Sequence, residues 1–187
     1  FFFTQKTASA ILSGLVGSEM CIRDRFKGIL YAGLMIENEK AKLVEYNIRF
    51  GDPECQVLMM SLKSDLIDLI MHSINGSIND YVCDWHDEDC ATVVLASKGY
   101  PGEFIKDTEI KGLENIKTSQ SLQVFHAATV ESDEKILANG GRVLSITAKD
   151  KSLRSALSTI YNEVKKIDWN ECYYRNDIGH KALKNEH

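Results

Sequence analysis

The run Leu43-Val44-Glu45-Tyr46-Asn47-Ile48-Arg49-Phe50, leading straight into Gly51-Asp52-Pro53-Glu54, decides how the rest of the chain is read. Val44, Tyr46, Ile48 and Phe50 fall on one parity, and Glu45, Asn47 and Arg49 on the other. Successive side chains of a strand point to opposite faces, so this alternation predicts a half-buried strand with one apolar face. Its other face would carry a carboxylate, an amide and a guanidinium in line, each about 6–7 Å from the next. Carboxylate and amide oxygens are hard ligands, suited to Mg²⁺ that also holds phosphate oxygens. A guanidinium two positions on can clamp a phosphate or a developing anion. An ordinary amphipathic strand with a solvated polar face explains the same alternation, and both readings stand on pattern alone.

The residues that follow favour a site. Gly51 ends the strand, and Asp52-Pro53-Glu54 predicts a helix start. Asp52 would be the N-cap, Pro53 the first helical position and Glu54 a first-turn acid. A polar strand face and a helix N-terminus then converge, a geometry suited to an amino-acid or phosphate-bearing substrate.

Glu45-Tyr46-Asn47-Ile48-Arg49-Phe50-Gly51-Asp52-Pro53-Glu54-Cys55-Gln56 resembles the signature of the phosphoribosylamine–glycine ligase family, ATP-grasp enzymes of purine biosynthesis. The resemblance continues through Lys63-Ser64-Asp65-Leu66, Gly99-Tyr100-Pro101-Gly102, Phe125-His126-Ala127, Asn139-Gly140-Gly141-Arg142-Val143 and Arg175-Asn176-Asp177-Ile178-Gly179. It covers the chain from about Phe26 to the C-terminus. The Arg-Phe-Gly-Asp-Pro-Glu run followed by x-Gln is long and distinctive, far stronger than a lone glycine pattern.

The 187 residues suit one ordinary domain or two small ones, and 44% hydrophobic with 26% charged content is that of a soluble globular protein. A net charge of −5 without a basic patch gives no reason to expect nucleic acid or an anionic membrane. No apolar run reaches the ~20 residues that span a bilayer. The five cysteines are odd in number and form no CxxC pair, which argues for a reducing, cytoplasmic setting. Cys83, His86 and Cys90 tempt a zinc reading, but no second ligand pair exists, and a polar loop leading into a strand is expected instead.

Residues 1–25 read as foreign to the rest. The chain opens on Phe1-Phe2-Phe3, and Ser18-Glu19-Met20-Cys21-Ile22-Arg23-Asp24-Arg25 resembles translated sequencing-adapter DNA. A non-native leader joined near Phe26 is expected, poorly packed or arbitrarily structured. Gly28–Ile36 is almost continuously apolar, as in a strand covered on both faces, and Glu37-Asn38-Glu39-Lys40 is a polar turn, so an antiparallel hairpin is expected. Helices follow, broken near Lys63-Ser64. Ser64 is the expected cap of the second, Leu66, Ile67, Leu69, Ile70 and Ile74 its buried face, and Gly76 its C′ residue.

Strands are then expected over Thr92–Ser97 and Leu122–Ala127, with a hairpin of Lys135–Ala138 and Arg142–Ala148 turning at Asn139-Gly140-Gly141. Ser152 caps a long helix whose apolar residues run from Leu153 to Ile167 at helical spacing. The fold class is therefore α+β. Residues 26–89 are expected to form the C-terminal part of an ATP-grasp domain, and residues 90–187 a small antiparallel sheet plus helix. His126 reads more readily as a satisfied core or interface histidine than as a catalytic one. Arg142 follows a tight turn, where a phosphate contact and a surface ion pair are both open.

What the resemblance implies is ATP-dependent ligation of glycine to 5-phosphoribosylamine, giving glycinamide ribonucleotide, ADP and phosphate. Glu45 and Asn47 would hold Mg²⁺ (or Mn²⁺), and Arg49 would be catalytic, stabilising the transferring phosphoryl or acyl-phosphate oxygens. Gly51, Asp52, Pro53 and Glu54 would bind substrate at the helix mouth, with Arg142 a further substrate contact. Other ATP-grasp enzymes usually place a second metal carboxylate on the preceding strand, and residues 28–36 contain none. The chain is expected to be an incomplete fragment, carrying one wall of an active site and not turning over alone. A monomer in the cytoplasm, with no nucleic-acid or membrane partner, is expected. A stand-alone binding module and an ATP-grasp ligase with another acceptor are the rival readings.

Overall fold

The computed structural model describes residues 2–3, 26–38 and 40–184. In chain order come β1 (Phe2–Phe3), β2 (Tyr31–Glu37), β3 (Lys40–Asn47), α1 (Glu54–Ser61), α2 (Leu66–Asn75) and β4 (Asp89–Ser97). There follow β5 (Thr108–Ile110), β6 (Leu122–His126), β7 (Thr129–Ser132), β8 (Lys135–Ala138) and β9 (Arg142–Asp150). The last elements are α3 (Leu153–Val164), β10 (Cys172–Tyr173) and α4 (His180–Lys184). The chain divides into two compact units. The larger holds the chain from Asp87 onward, with β1 and Gln56–Ser61, and the smaller runs up to Cys55 and from Leu62 to His86. The expected leader lies outside the described residues except for β1, which pairs antiparallel with Cys90 and Ala91.

In the smaller unit β2 and β3 form the expected antiparallel hairpin. Asn38, at φ 51°, takes the left-handed conformation that tight hairpin turns require. The strands differ from expectation in extent and burial. β3 ends at Asn47, not Phe50, because Ile48 and Arg49 bend away from the ladder. Gly33 pairs with Glu45 and Leu34 with Leu43, so Val44 is the extra residue of a bulge. The expected apolar faces are not covered: Val44 is 67% exposed, Ile48 76% and Ile36 71%. A two-stranded hairpin has no second layer of its own to take up these side chains.

The helical region breaks where expected, between Ser61 and Leu66. The cap of α2 is Asp65, not Ser64: its Oδ1 accepts the Ile67 N–H at 2.7 Å and the Asp68 N–H at 3.3 Å. Ser64 is occupied elsewhere, its Oγ accepting the Asp84 N–H at 2.7 Å. Gly76 closes α2 at φ 74°, the left-handed position where a glycine lacks a Cβ penalty. The face expected to be buried is not. Ile67, Ile70 and Ile74 are exposed, Leu66 and Leu69 are half-buried, and no α2 residue is fully buried.

The larger unit has the real core. Its main sheet runs β1-β4-β9-β6, all antiparallel, with β10 sharing the β4 edge. Register pairs Ala91 with Ala148, Val93 with Ile146 and Leu95 with Leu144. These residues make one apolar face, against which α3 packs Leu153, Leu157, Ile160 and Val164. The opposite parity carries Cys90, Thr92, Ser145, Thr147 and Lys149, all buried as well. There Thr92 and Thr147 share a hydroxyl–hydroxyl bond of 2.8 Å, and Lys149 meets Glu88 at 3.4 Å. Cys90 also packs with Val57, Met60 and Phe125. Helix α3 begins at the expected cap, Ser152 Oγ accepting the Ser155 N–H at 3.2 Å, and Asp89 accepts the Leu153 N–H at 2.9 Å.

One expected pairing fails. β8 and β9 do not form a hairpin; β8 lies between β5 and β7 in a separate sheet, while β9 lies between β4 and β6. The β7–β8 turn is at Asp133 and Glu134, both at positive φ. Asn139-Gly140-Gly141 instead carries the chain between sheets: Ala128 O accepts the Asn139 N–H at 2.9 Å and Gly141 O accepts the Ser97 N–H at 2.8 Å. Apart from that, the helix-on-antiparallel-sheet reading of this region stands.

Ile160 is fully buried beneath the sheet, whereas Ile67 is 68% exposed. Ile160→Ala is expected to cost about 2–5 kcal/mol and Ile67→Ala less than about 0.5 kcal/mol in urea unfolding followed by far-UV circular dichroism. Equal costs would contradict this placement of the core.

Candidate functional site

In the smaller unit, β3 sets the two oxygen donors. Glu45 pairs with Gly33 and Asn47 with Tyr31. Two positions apart on one strand, Glu45 and Asn47 face the same way. A Cβ on Gly33 would lie 3.0 Å from Glu45 Cγ, so the glycine is what lets the Glu45 stem lie across β2. Tyr31, next on that strand face, was not singled out by sequence reasoning. Burial raises its pKa above the ordinary phenol value, and the Glu54 and Glu45 carboxylates raise it further. Counting back from the Asn38 turn would have paired Tyr31 near Asn47, but only the bulge at Val44 makes the register definite.

Arg49 is not in line with Glu45 and Asn47, because the strand has already ended. It sits in the following bend, where its Nη1 donates to the Phe50 carbonyl at 2.8 Å. The helix start also differs from expectation. Gly51, not Asp52, occupies the capping place: its carbonyl accepts the Cys55 N–H at 2.9 Å, and its own N–H donates to Glu54 Oε2 at 3.0 Å. A carboxylate reaching back to the capping residue is one half of a capping box. Asp52 and Pro53, joined by a cis peptide, form the turn before α1, with Asp52 exposed.

The field around this turn is negative. Burial pushes the Glu54 carboxyl above its ordinary value, against the lowering pull of the Gly51 N–H. Burial raises the Cys55 thiol too, with Glu54 and Asp52 adding to it. Among the described residues no three His, Cys, Asp or Glu side chains come together as a metal site. Glu45 and Asn47 still fit a divalent cation of the Mg²⁺ kind. Such an ion takes one or two protein oxygens and leaves its other positions to waters and phosphates.

Arg142 belongs to the larger unit. It opens β9, pairs with Ala96 and is exposed. His126 is not a core histidine: it ends β6, is exposed, and its Nδ1 lies 2.9 Å from Thr129 Oγ1. The register that places it there was not visible in the local alternation.

Glu54 supplies a pH test. Its folded pKa lies above the ordinary 4.5, so ionising it costs folding free energy. Its contribution therefore favours the fold at low pH and is lost as pH rises through the folded pKa. Glu54→Gln, which keeps an acceptor for the Gly51 N–H, is expected to flatten that part of the stability curve above the ordinary 4.5. An unchanged pH profile in urea melts would overturn the assignment.

Comparison with known proteins places these features in one family. The family model "Phosphoribosylglycinamide synthetase, ATP-grasp (A) domain" matches residues 3–55, and "Phosphoribosylglycinamide synthetase, C domain" matches residues 90–181. Phosphoribosylamine–glycine ligase of Brucella melitensis is 47% identical over 86% of this chain, and the match takes in 38% of that relative. The chloroplastic phosphoribosylamine–glycine ligase of Arabidopsis thaliana is 44% identical over 86% of this chain and 31% of its own length. The crystal structure of phosphoribosylamine–glycine ligase from Thermotoga maritima superposes with a TM-score of 0.67 at 28% identity, over 79% of this chain and 36% of that one. The chain thus spans about a third of the length of these two relatives. With two domain models, these relatives and this solved structure in agreement, the chain belongs to the phosphoribosylglycinamide synthetase family of ATP-grasp ligases.

Proposed function

We propose that this chain serves the ATP-dependent ligation of glycine to 5-phosphoribosylamine, giving glycinamide ribonucleotide, ADP and phosphate in purine biosynthesis. The observation that carries the reading is the shared face of Glu45 and Asn47 beside a carboxylate-rich helix start. Two oxygen donors in a negative field suit a magnesium ion with its nucleotide phosphates better than they suit a bare anion. When bound, that ion would draw charge off the phosphate oxygens.

The chain's own groups do the rest. The Glu45 carboxylate and Asn47 amide oxygen hold the ion. Arg49, one turn of chain beyond, stabilises the oxygens of the transferring phosphoryl group and of the acyl phosphate. In the first step a glycine carboxylate oxygen attacks the γ-phosphorus and ADP leaves. In the second the phosphoribosylamine nitrogen attacks the acyl carbon, phosphate leaves and the nitrogen loses a proton. Asp52, exposed at the turn, pairs with the glycine ammonium, while Gly51, Pro53 and Glu54 shape that turn. Arg142, in the larger unit, contacts substrate. The setting is cytoplasmic, the molecule acts as a monomer, and neither nucleic acid nor membrane is a partner. Among the described residues no helix is long and apolar enough to cross a membrane.

Two measurements test this. Glu45→Gln is expected to weaken Mg²⁺-ADP binding by this chain about tenfold or more in isothermal titration, as loss of a charged ligand to a divalent ion should. No nucleotide binding by the unaltered chain would favour the inert-module reading. In a full-length relative carrying the same Arg-Phe-Gly-Asp-Pro-Glu run, the Asp52→Asn change made at the matching aspartate should raise the glycine KM. An unchanged KM would remove Asp52 from the glycine site.

A further inference from the structure

The bulge at Val44 sorts the β2–β3 hairpin into two unlike faces. Directly opposite residues of an antiparallel pair share a face. Ala32 with Tyr46, Leu34 with Leu43 and Ile36 with Ala41 therefore make one face, and it is apolar. Tyr31 with Asn47, Gly33 with Glu45, Met35 with Lys42 and Glu37 with Lys40 make the other. At the turn end of this second face Lys42 is bonded to Glu37. At its far end stand the two oxygen donors, Glu45 and Asn47, with Tyr31 beside them.

Gly33 is what lets two of these side chains meet. A Cβ there would lie 3.0 Å from Glu45 Cγ, and 3.6 Å from both Cε1 and the hydroxyl oxygen of Tyr31. The stem of Glu45 and the phenol of Tyr31 thus converge over the one residue of this face that has no side chain. Tyr31 leans along β2, over Gly33, and so toward the partner of that glycine, Glu45. Burial, and after it the Glu54 and Glu45 carboxylates, hold the phenol above its ordinary value, so the hydroxyl keeps its proton. An ionised carboxylate accepts hydrogen bonds and donates none, so a protonated phenol is its complement. A carboxylate that gives one oxygen to a cation is oriented by a donor held against it, and such outer partners tune the affinity of the site.

We propose that Tyr31 is a positioning residue: its hydroxyl donates to the Glu45 carboxylate and fixes the oxygen which that side chain offers to a divalent cation. Tyr31 itself touches neither the ion nor the reacting atoms. The assignment deepens the ligase reading and rests on it for the identity of the ion and its nucleotide.

Tyr31→Phe keeps the ring and removes only the donor, so the urea midpoint of the chain is expected to stay in place. In isothermal titration the same variant should bind Mg²⁺-ADP about tenfold more weakly, as expected when the outer partner of a metal ligand is lost. In the Glu45→Gln background Tyr31→Phe should bring no further loss, because the carboxylate it positions is gone. Full affinity in Tyr31→Phe, or an equal loss in both backgrounds, would overturn the proposal. A second readout needs no metal. In the chain carrying ¹³C at its glutamate carboxyls, the signal that Glu45→Gln deletes is expected to move in Tyr31→Phe, and a signal that stays put would also overturn it. Absence of Mg²⁺-ADP binding by the unaltered chain, alongside a Glu45 signal that moves, would count against the ligase reading only. Mg²⁺-ADP binding that Tyr31→Phe leaves intact would count against the role of Tyr31 only.

Discussion

Strand β9 has no solvent-facing side along most of its length, and the larger unit depends on that constraint. Leu144, Ile146 and Ala148 project to the layer made by α3, while Ser145, Thr147 and Lys149 project the other way and are buried too. A polar face can be buried only if its groups find partners. Thr147 finds Thr92, and Lys149 finds Glu88. With both neighbours antiparallel and both faces covered, β9 cannot slip by one residue without exchanging an apolar face for a polar one. The ends of β4, β6 and β9 are pinned in consequence, and with them the loops that bring Ser97, Ala128 and Gly141 together.

The smaller unit obeys a different balance. Its hairpin and α2 leave Val44, Ile48, Ile67 and Ile74 exposed, so packing does not position its polar groups. Local features do so: the Gly33 gap under the Glu45 stem, the bulge at Val44, and the bond from the Gly51 N–H to Glu54. Burial raises the Tyr31 phenol, and carboxylates from the start of α1 and from β3 raise it further. Crowded like charges of this kind are stabilised by a bound cation, which links the geometry of the turn to its proposed chemistry.

Much of this is legible in the sequence. The hairpin, the helix break, the Gly76 stop, the Ser152 cap and the helix-on-sheet layer all follow from turn chemistry and periodicity, which act over a few residues. The family signature around Arg49–Glu54 was legible in the same way, as residue identity. Less legible were features in which one local signal competes with another. Both Ser64 and Asp65 can cap α2, and Ser64 was claimed by Asp84, twenty positions away in sequence. Asn139-Gly140-Gly141 has the composition of a hairpin turn, yet the positive-φ pair at Asp133 and Glu134 makes the hairpin instead.

The fold class, the family and the residue types at the strand–helix turn are readable from the sequence, because these depend on local pattern and side-chain identity. Register and burial came from the folded chain. It showed that Val44 is a bulge, that Tyr31 faces Asn47, and that Arg49 lies outside the ladder. It also placed His126 at the exposed end of β6 and Arg142 at the exposed start of β9. Register and burial are set by partners far along the chain, and alternation within one strand is the same whichever partner it meets.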